Sequence, residues 1–231
     1  VTNVPDANHD EVSNHVLAML LAWARCLLPF DRAAREGRFD YRLAIPRHRL
    51  AGQVLGLIGF GAVARCVARK ARGLGLDVVA HARHAAGSEV EFASLGDVLR
   101  RADYLSIHVP LTPETTGMIG AAQLALMKPT AFLVNTSRGA VVDQRALVEA
   151  LREGRIAGAG LDVTDPEPPR ADDPLLALPN VILTPHAAWY SEESREDVTT
   201  AAAREVVRVL ANGRPASPVN PEVVPRFGVT S

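Results

Sequence analysis

The sequence predicts a doubly wound α/β fold, a parallel sheet with helices on both faces, and three observations carry that prediction. Six short apolar runs recur along the chain: VLGLIGF, DVVAHA, DYLSIHV, TAFLVNT, AGAGLDV and NVILTP. Amphipathic stretches such as AVARCVARKARGLG and DQRALVEALREG lie between them. The first run passes straight through a glycine-rich turn, LIGFGAVARC, into one of these stretches. Near-continuous apolar strands mark a sheet buried on both faces, because each right-handed crossover lays a helix against it.

Two elements lie outside this alternation. Before the first strand, DEVSNHVLAMLLAWARCLL reads as one strong helix whose wide apolar face can serve either the sheet or a partner subunit. Its apolar run from Val16 to Ala24 is too short to span a bilayer. After the last strand, SEESREDVTTAAAREVVRVLANG reads as a closing helix, with Ser191 to cap it and Gly213 to end it. Val198, Ala202, Val206, Val209 and Leu210 share one face of that helix. The Pro-rich RPASPVNPEVVP beyond it reads as an extended strap.

Composition narrows the function. With 25 Lys and Arg against 26 Asp and Glu, and no basic stripe, nothing provides the electrostatic footprint of a nucleic-acid binder. A small neutral molecule or a small anion suits the chain better. Cys26 and Cys66 stand far apart without a CxxC pair and read as reduced core thiols. His9, His15, His48, His81 and His84 show no ligand spacing, so no metal site is expected. No stretch reads as a signal peptide, and the cytoplasm is the expected location. The chain starts at Val1 without an initiator Met, and residues upstream of it are expected.

The glycine turn is the first feature with chemistry in it. Gly59, Gly61 and then Ala64 occupy the positions of a dinucleotide fingerprint, with the required strand before and helix after. Gly59 permits the tight turn, and Gly61 lets backbone approach a pyrophosphate. The N–H groups of Ala62 and Val63, at the positive end of the helix, then face that anion. The plain alternative is a tight turn without a ligand. On the first reading the fold is a Rossmann-type dinucleotide-binding domain over residues 1–190 with an N-terminal interface helix. Residues 191–231 then form the closing helix and a tail toward a largely absent substrate domain.

Ligands of an open α/β sheet bind beyond the carboxyl ends of the strands, which makes the residues after each run the candidate site. The second run ends at Ala82 and Arg83, and the third at His108, Val109 and Pro110. The fourth leads into NTSRG with Thr136 and Arg138, the fifth into LDVTDPEP with Asp162 and Glu167, and the sixth into TPHAAWY with His186 and Trp189. Arg138, Glu167 and His186 suit hydride exchange with a 2-keto acid. The guanidinium binds a carboxylate in a planar fork and the imidazole supplies a proton to the developing alkoxide, while the carboxylate holds the ring's tautomer. Asp162 can accept from a nicotinamide carboxamide. Each has a plain alternative: a turn-capping Arg, a solvated Glu, a satisfied core His.

The second strand's end bears on which nicotinamide nucleotide is used, NAD or NADP. An acid that would accept from both ribose hydroxyls belongs where Ala82 stands, and Asp77 lies at the strand's other end. Without that carboxylate, Arg83, with His84 beside it, can meet a 2′-phosphate, which leans toward NADP. An exposed loop Arg with no ligand is the alternative.

VPDANHDEVSNHVLAMLLAWAR, GLIGFGAVAR, HVPLTPETTGMI, LMKPTAFLVNTSRGAVVD, AGAGLDVTDPEPP and LPNVILTPHAAWYSEE, in this order, resemble the D-isomer-specific 2-hydroxyacid dehydrogenases from near Val1 to about Asn220. The last segment is similar in particular to the C-terminal-binding-protein branch. The resemblance implies an oxidoreductase, NAD or NADP as cofactor, a 2-keto acid or D-2-hydroxy acid as substrate, and a homodimer. It also implies Arg138, Glu167 and His186 as the catalytic set, Asp162 at the nicotinamide and Trp189 as a wall of the substrate pocket. Two positions depart from the family: Ala62, where a longer side chain is usual, and Ala64, where Gly is. The family's other domain is formed mostly by upstream residues, so weak turnover by this chain alone is expected. The rival reading is a dinucleotide-sensing dimeric scaffold, which need not keep the catalytic trio.

Overall fold

The order of the sheet decides where a ligand can sit. In the computed structural model, which describes residues 2–220 except 6, 45, 84–88 and 213, seven strands form a sheet. They are β1 (Val54–Ile58), β2 (Asp77–His81), β3 (Glu91–Phe92), β4 (Tyr104–Ile107), β5 (Phe132–Asn135), β6 (Gly158–Leu161) and β7 (Val181–Leu183). Their order is β3-β2-β1-β4-β5-β6-β7 and every pair is parallel. The strand order reverses between β1 and β4, and the loops after those strands face a common crevice there. The six apolar runs are β1, β2 and β4 to β7. The seventh strand, β3, has two residues, too few for any periodicity to show in the sequence.

Helices cover both faces. One apolar core unites α1 (His9–Ala24) and α3 (Ala62–Gly73) through Leu20, Val67 and Ala71, all fully buried. The other unites α4 (Leu95–Arg101), α5 (Ala121–Leu124) and α6 (Gln144–Arg152) through Leu99, Leu124 and Ala150. Each buried Leu contributes roughly 1.5–3 kcal/mol over an exposed one. Ser94 caps α4 by accepting the Asp97 N–H, and Asp143 caps α6 by accepting that of Ala146. The first helix serves the sheet: a Cβ at Gly158 of β6 would fall 2.5 Å from the Trp23 ring, so the strand's small residues seat α1 directly on it.

That first helix is shorter than its sequence suggests. It ends at Ala24, Cys26 adopts a left-handed conformation (φ 53°), and α2 (Leu27–Arg35) starts afresh. Pro29 is the reason. In a continuous helix it would clash with the carbonyl four residues back, whereas in the first turn of a new helix it is tolerated.

By its contacts the chain divides into two compact units. Val12–Ala188 contains the sheet and both cores. The other unit, Val1–Glu11 with Trp189–Ser231, is built on α7 (Glu192–Asn212). Ser191 caps α7, accepting the Ser194 N–H at 2.9 Å and donating to Glu11 at 2.9 Å. Gly213, the expected stop, and the end of the Pro-rich strap lie outside the described residues. Glu205 ties the part of the strap that is described, accepting from the Ala216 N–H and the Thr2 hydroxyl. On the expected apolar face, Val206 and Leu210 are exposed.

Candidate active site

The glycine turn closes the crevice from the β1 side. Gly59 has φ +89°, and a Cβ there would stand 2.8 Å from the His108 carbonyl oxygen, so the turn is pressed onto the end of β4. Val109 flanks it, and the Pro110 carbonyl accepts the Thr115 hydroxyl at 2.6 Å. Gly61 caps α3 in an extended conformation, and a Cβ on it would meet nothing within 4 Å. Ala62 and Val63 are the first helical residues, so their N–H groups have no acceptor within the helix. Ala64 is fully buried, which is the close helix–strand packing the third fingerprint position requires.

His108 is held neutral. Burial pushes its pKa down to about 4, and its Nε2 lies 2.9 Å from the hydroxyl of the fully buried Ser106. At the end of β2, Ala82 is half-buried and Arg83 exposed. Glu114 has its carboxyl held below the usual range, first by its hydrogen bond with Thr112 and, least of the causes, by the charge of Arg83. His84 lies outside the described residues.

After β5 the chain is bound to its own strand. The Asn135 side chain, 1% exposed, accepts from the Ser137 N–H at 3.0 Å and donates to the Arg138 carbonyl at 2.9 Å. This Asx turn fixes the backbone of Arg138 while its guanidinium stays exposed, one Nη1 donating to the Ser137 carbonyl at 2.7 Å. Next to it, Gly139 packs so tightly that a Cβ would stand 2.0 Å from the Thr164 carbonyl oxygen. The loops after β5 and β6 therefore touch backbone to backbone. Thr136 brings a buried hydroxyl that has no hydrogen-bond partner among the described residues.

The loop after β6 carries Glu167 between two anchors. Gln144, first residue of α6, accepts the Asp165 N–H at 3.1 Å and donates to Asp173 at 2.7 Å. Asp162 is 2% exposed, and its carboxylate gathers the loop after β7: Oδ1 accepts from the Thr184 hydroxyl at 2.5 Å and the Ala187 N–H at 2.9 Å, Oδ2 from the Ala188 N–H at 2.9 Å. Its own carbonyl accepts the His186 N–H at 2.8 Å. So wrapped, His186 sits at φ 54°, a conformation uncommon for a non-glycine residue. Its Nδ1 meets Glu167 Oε1 at 2.5 Å.

Glu167 and His186 are thus brought into contact, and with Asp162, Pro168, Leu183 and Pro185 they line a cavity of about 490 Å³. Arg138 makes no hydrogen bond or ion pair with either among the described residues. Trp189 belongs to the unit of the closing helix, edge-on to Tyr190 with ring centroids 5.7 Å apart. Among the described residues no group of three or more His, Cys, Asp or Glu stands ready for a metal ion. Sequence reasoning gave no role to Asn135, Gln144 or Thr184. For Asn135 a signal was present, since an Asn ending a strand two residues before a Ser favours an Asx turn. The others act over long sequence separations and leave no local trace.

The chain is 43% identical to a glyoxylate reductase of Korarchaeum cryptofilum, over 97% of this chain and 70% of that protein. Among solved structures, a D-lactate dehydrogenase with NAD+ from Lactobacillus jensenii superposes with a TM-score of 0.86 at 32% identity, over 95% of this chain and 71% of that one. An acyclic imino acid reductase in complex with NADPH and D-Arg gives 0.87 at 32% identity, over 94% and 70%. The family model of the D-isomer specific 2-hydroxyacid dehydrogenase NAD-binding domain matches residues 17–188, a span that runs from α1 through the loop after β7. The chain belongs to the D-isomer specific 2-hydroxyacid dehydrogenase family.

Proposed function

We propose that this chain is a nicotinamide-dependent oxidoreductase that interconverts a small 2-keto acid and the corresponding D-2-hydroxy acid, with His186 as the proton donor and acceptor. The observation that carries the reading is the Glu167–His186 contact at 2.5 Å through Nδ1. It leaves Nε2 without a bond among the described residues and free to face a substrate oxygen. A dinucleotide-sensing scaffold has no need of such a pair.

The crevice fits a dinucleotide. The open space above Gly61, the free N–H groups of Ala62 and Val63 and the unpartnered Thr136 hydroxyl are what a pyrophosphate and its neighbouring groups require. His108, Val109 and Pro110 would line the adenosine side. Of the four lone pairs on the Asp162 carboxylate three are taken, which leaves one for a carboxamide N–H. When bound, a nicotinamide supplies or removes the hydride at the carbon that bears oxygen. The protein's own part is acid–base chemistry and orientation. Arg138, with only one of its five N–H groups bonded to Ser137, takes the substrate carboxylate in a fork. His186 gives its Nε2 proton to the oxygen as negative charge develops there, and Glu167 stabilises the imidazolium and fixes the ring.

His186→Ala should lower kcat by about a hundred- to ten-thousandfold, with the dissociation constant for NAD(P)H within twofold of wild type. Glyoxylate, hydroxypyruvate and pyruvate serve as substrates, and cofactor binding is followed by fluorescence. Retention of wild-type kcat by His186→Ala would overturn the assignment.

Two finer readings go with it. Arg83 and the neutral Ala82 favour NADPH; relatives with NAD+ and with NADPH both share the fold, so the choice rests on this loop. A homodimer is supported by apolar side chains left exposed on α2 and the segment after it, Leu27, Leu28, Phe39 and Tyr41, the last two more than three-quarters exposed. Light scattering should return twice 24.7 kDa, and a monomer would refute it. The relatives named above are reductases and dehydrogenases, so the functional reading rests on the family as a whole and not on the C-terminal-binding-protein branch.

A further inference from the structure

Behind the acid–base pair lies a hydrogen-bonded chain that begins on a different element. His15, on the second turn of α1, places Nε2 at 2.9 Å from the Thr184 hydroxyl and 3.7 Å from Asp162 Oδ1. Thr184 Oγ1 is in turn 2.5 Å from the same Oδ1. The directions of these bonds follow from counting protons. Asp162 accepts two backbone N–H groups, from Ala187 and Ala188, so both its oxygens serve here as acceptors. A carboxylate that accepts at both oxygens has no proton to give, so the single proton of Thr184 lies toward Asp162. The hydroxyl then presents a lone pair to His15, and only an N–H on Nε2 can satisfy it. The reverse direction would set two acceptors 2.5 Å apart.

We propose that His15 is a positioning residue for the loop that carries His186, acting as an obligatory Nε2–H donor through Thr184 and Asp162. The inference rests on the function proposed above. The chain converges on one carboxylate that holds the Ala187 and Ala188 N–H groups and, through its main chain, that of His186. Every residue between Thr184 and Ala188 except Pro185 is thus tied to Asp162. His15 fixes the hydroxyl that occupies one of the carboxylate's lone pairs, and hydrogen bonds in such a row polarise one another. Without it the Thr184 hydroxyl keeps one donor bond and loses its orientation. Asp162 keeps the Ala187 and Ala188 N–H groups but is held less firmly on its Thr184 side, which loosens both the φ 54° conformation of His186 and the lone pair offered to a carboxamide.

His15→Leu and His15→Gln test this, the second keeping an N–H at about the height of Nε2. Three readouts apply: the tautomer of His15 from long-range nitrogen–proton NMR spectra, amide exchange at Ala187 and Ala188, and kcat with NAD(P)H and glyoxylate. Wild type should show Nε2–H. His15→Leu should speed exchange at Ala187 and Ala188 while the amides of β4 keep their protection, and it should lower kcat by about three- to tenfold. His15→Gln should restore most of both. A neutral His15 protonated on Nδ1 overturns the proposal, as does unchanged exchange at Ala187 and Ala188 in His15→Leu. A Leu variant destabilised throughout, with Gln no better, also overturns it by assigning His15 a general packing role. Tautomer and exchange need no turnover, so a failure of the proposed reaction would leave these two readouts to decide the role of His15 on their own.

Discussion

Gly139→Ala is the sharpest perturbation the structure offers, because the position combines an ordinary backbone with no room at all. Gly139 is not among the glycines with positive φ, so nothing in its conformation forbids a side chain. Space does: the new Cβ would stand 2.0 Å from the Thr164 carbonyl oxygen, 2.1 Å from its carbon and 2.8 Å from the Asp165 nitrogen. These are backbone atoms and cannot rotate away. An ordinary carbon–oxygen contact needs about 3.2 Å or more, so the loop bearing Arg138 and the loop bearing Glu167 must part by roughly 1 Å. Overpacking of this kind costs about 1–3 kcal/mol of stability, and a 1 Å misplacement of reacting groups can cost about a hundredfold in rate. The expected result is a folded protein with a modestly lower Tm, affinity for NAD(P)H lowered less than the rate because the glycine turn after β1 is outside this contact, and kcat/KM for glyoxylate down by about ten- to a hundredfold. Thermal melts, cofactor fluorescence and initial rates read these separately. Wild-type kcat/KM in Gly139→Ala would show that the two loops are not held in register by this contact, and the reasoning fails.

Other predictions concern neighbouring parts of the same edge. Gln144→Ala releases both ends of the Glu167 loop and should lower kcat more than it lowers Tm; Gln144→Glu, which keeps the acceptor for Asp165 but sets a charge against Asp173, should do no better, and equal kcat in all three would refute the anchoring role. His108 lies at about 4 in the native state against 6.5 ordinarily, so the unfolded chain binds its proton first and stability should fall as pH drops from 6.5 toward 4, by about 3 kcal/mol in full. His108→Asn should flatten that part of the denaturation curve, and an unaltered pH dependence would contradict it. Arg83→Ala should weaken NADPH about ten- to a hundredfold and leave NADH alone, while Ala82→Asp should turn preference toward NADH; identical dissociation constants in all three proteins would remove the loop from phosphate reading.

What the sequence shows and what it hides divide along a physical line. Elements whose character is set by their own residues were legible: the buried strands by their unbroken apolar runs, the dinucleotide turn by Gly59 and Gly61 between strand and helix, the closing helix by Ser191. The break at Cys26 was written in Pro29, but the apolar face of VLAMLLAWA continues across it and dominates the pattern. Strand-end logic brought Arg138, Glu167 and His186 to one edge, because parallel strands in a doubly wound sheet all end on the same side. It could not show that Asp162 would be the hub of that edge. The sequence offered Asp162 a carboxamide to accept from, but its place as hub comes from donors 22 to 26 residues ahead of it, Thr184, Ala187 and Ala188. His15 lies still farther from it in sequence and touches it only because Gly158 lets α1 rest on β6. A glycine inside a strand usually weakens it. Here the small residues of AGAGLDV bring a helix close enough for its histidine to reach the carboxylate at the strand's end, so the residues that cost the sheet some stability are the ones that connect α1 to the chemistry.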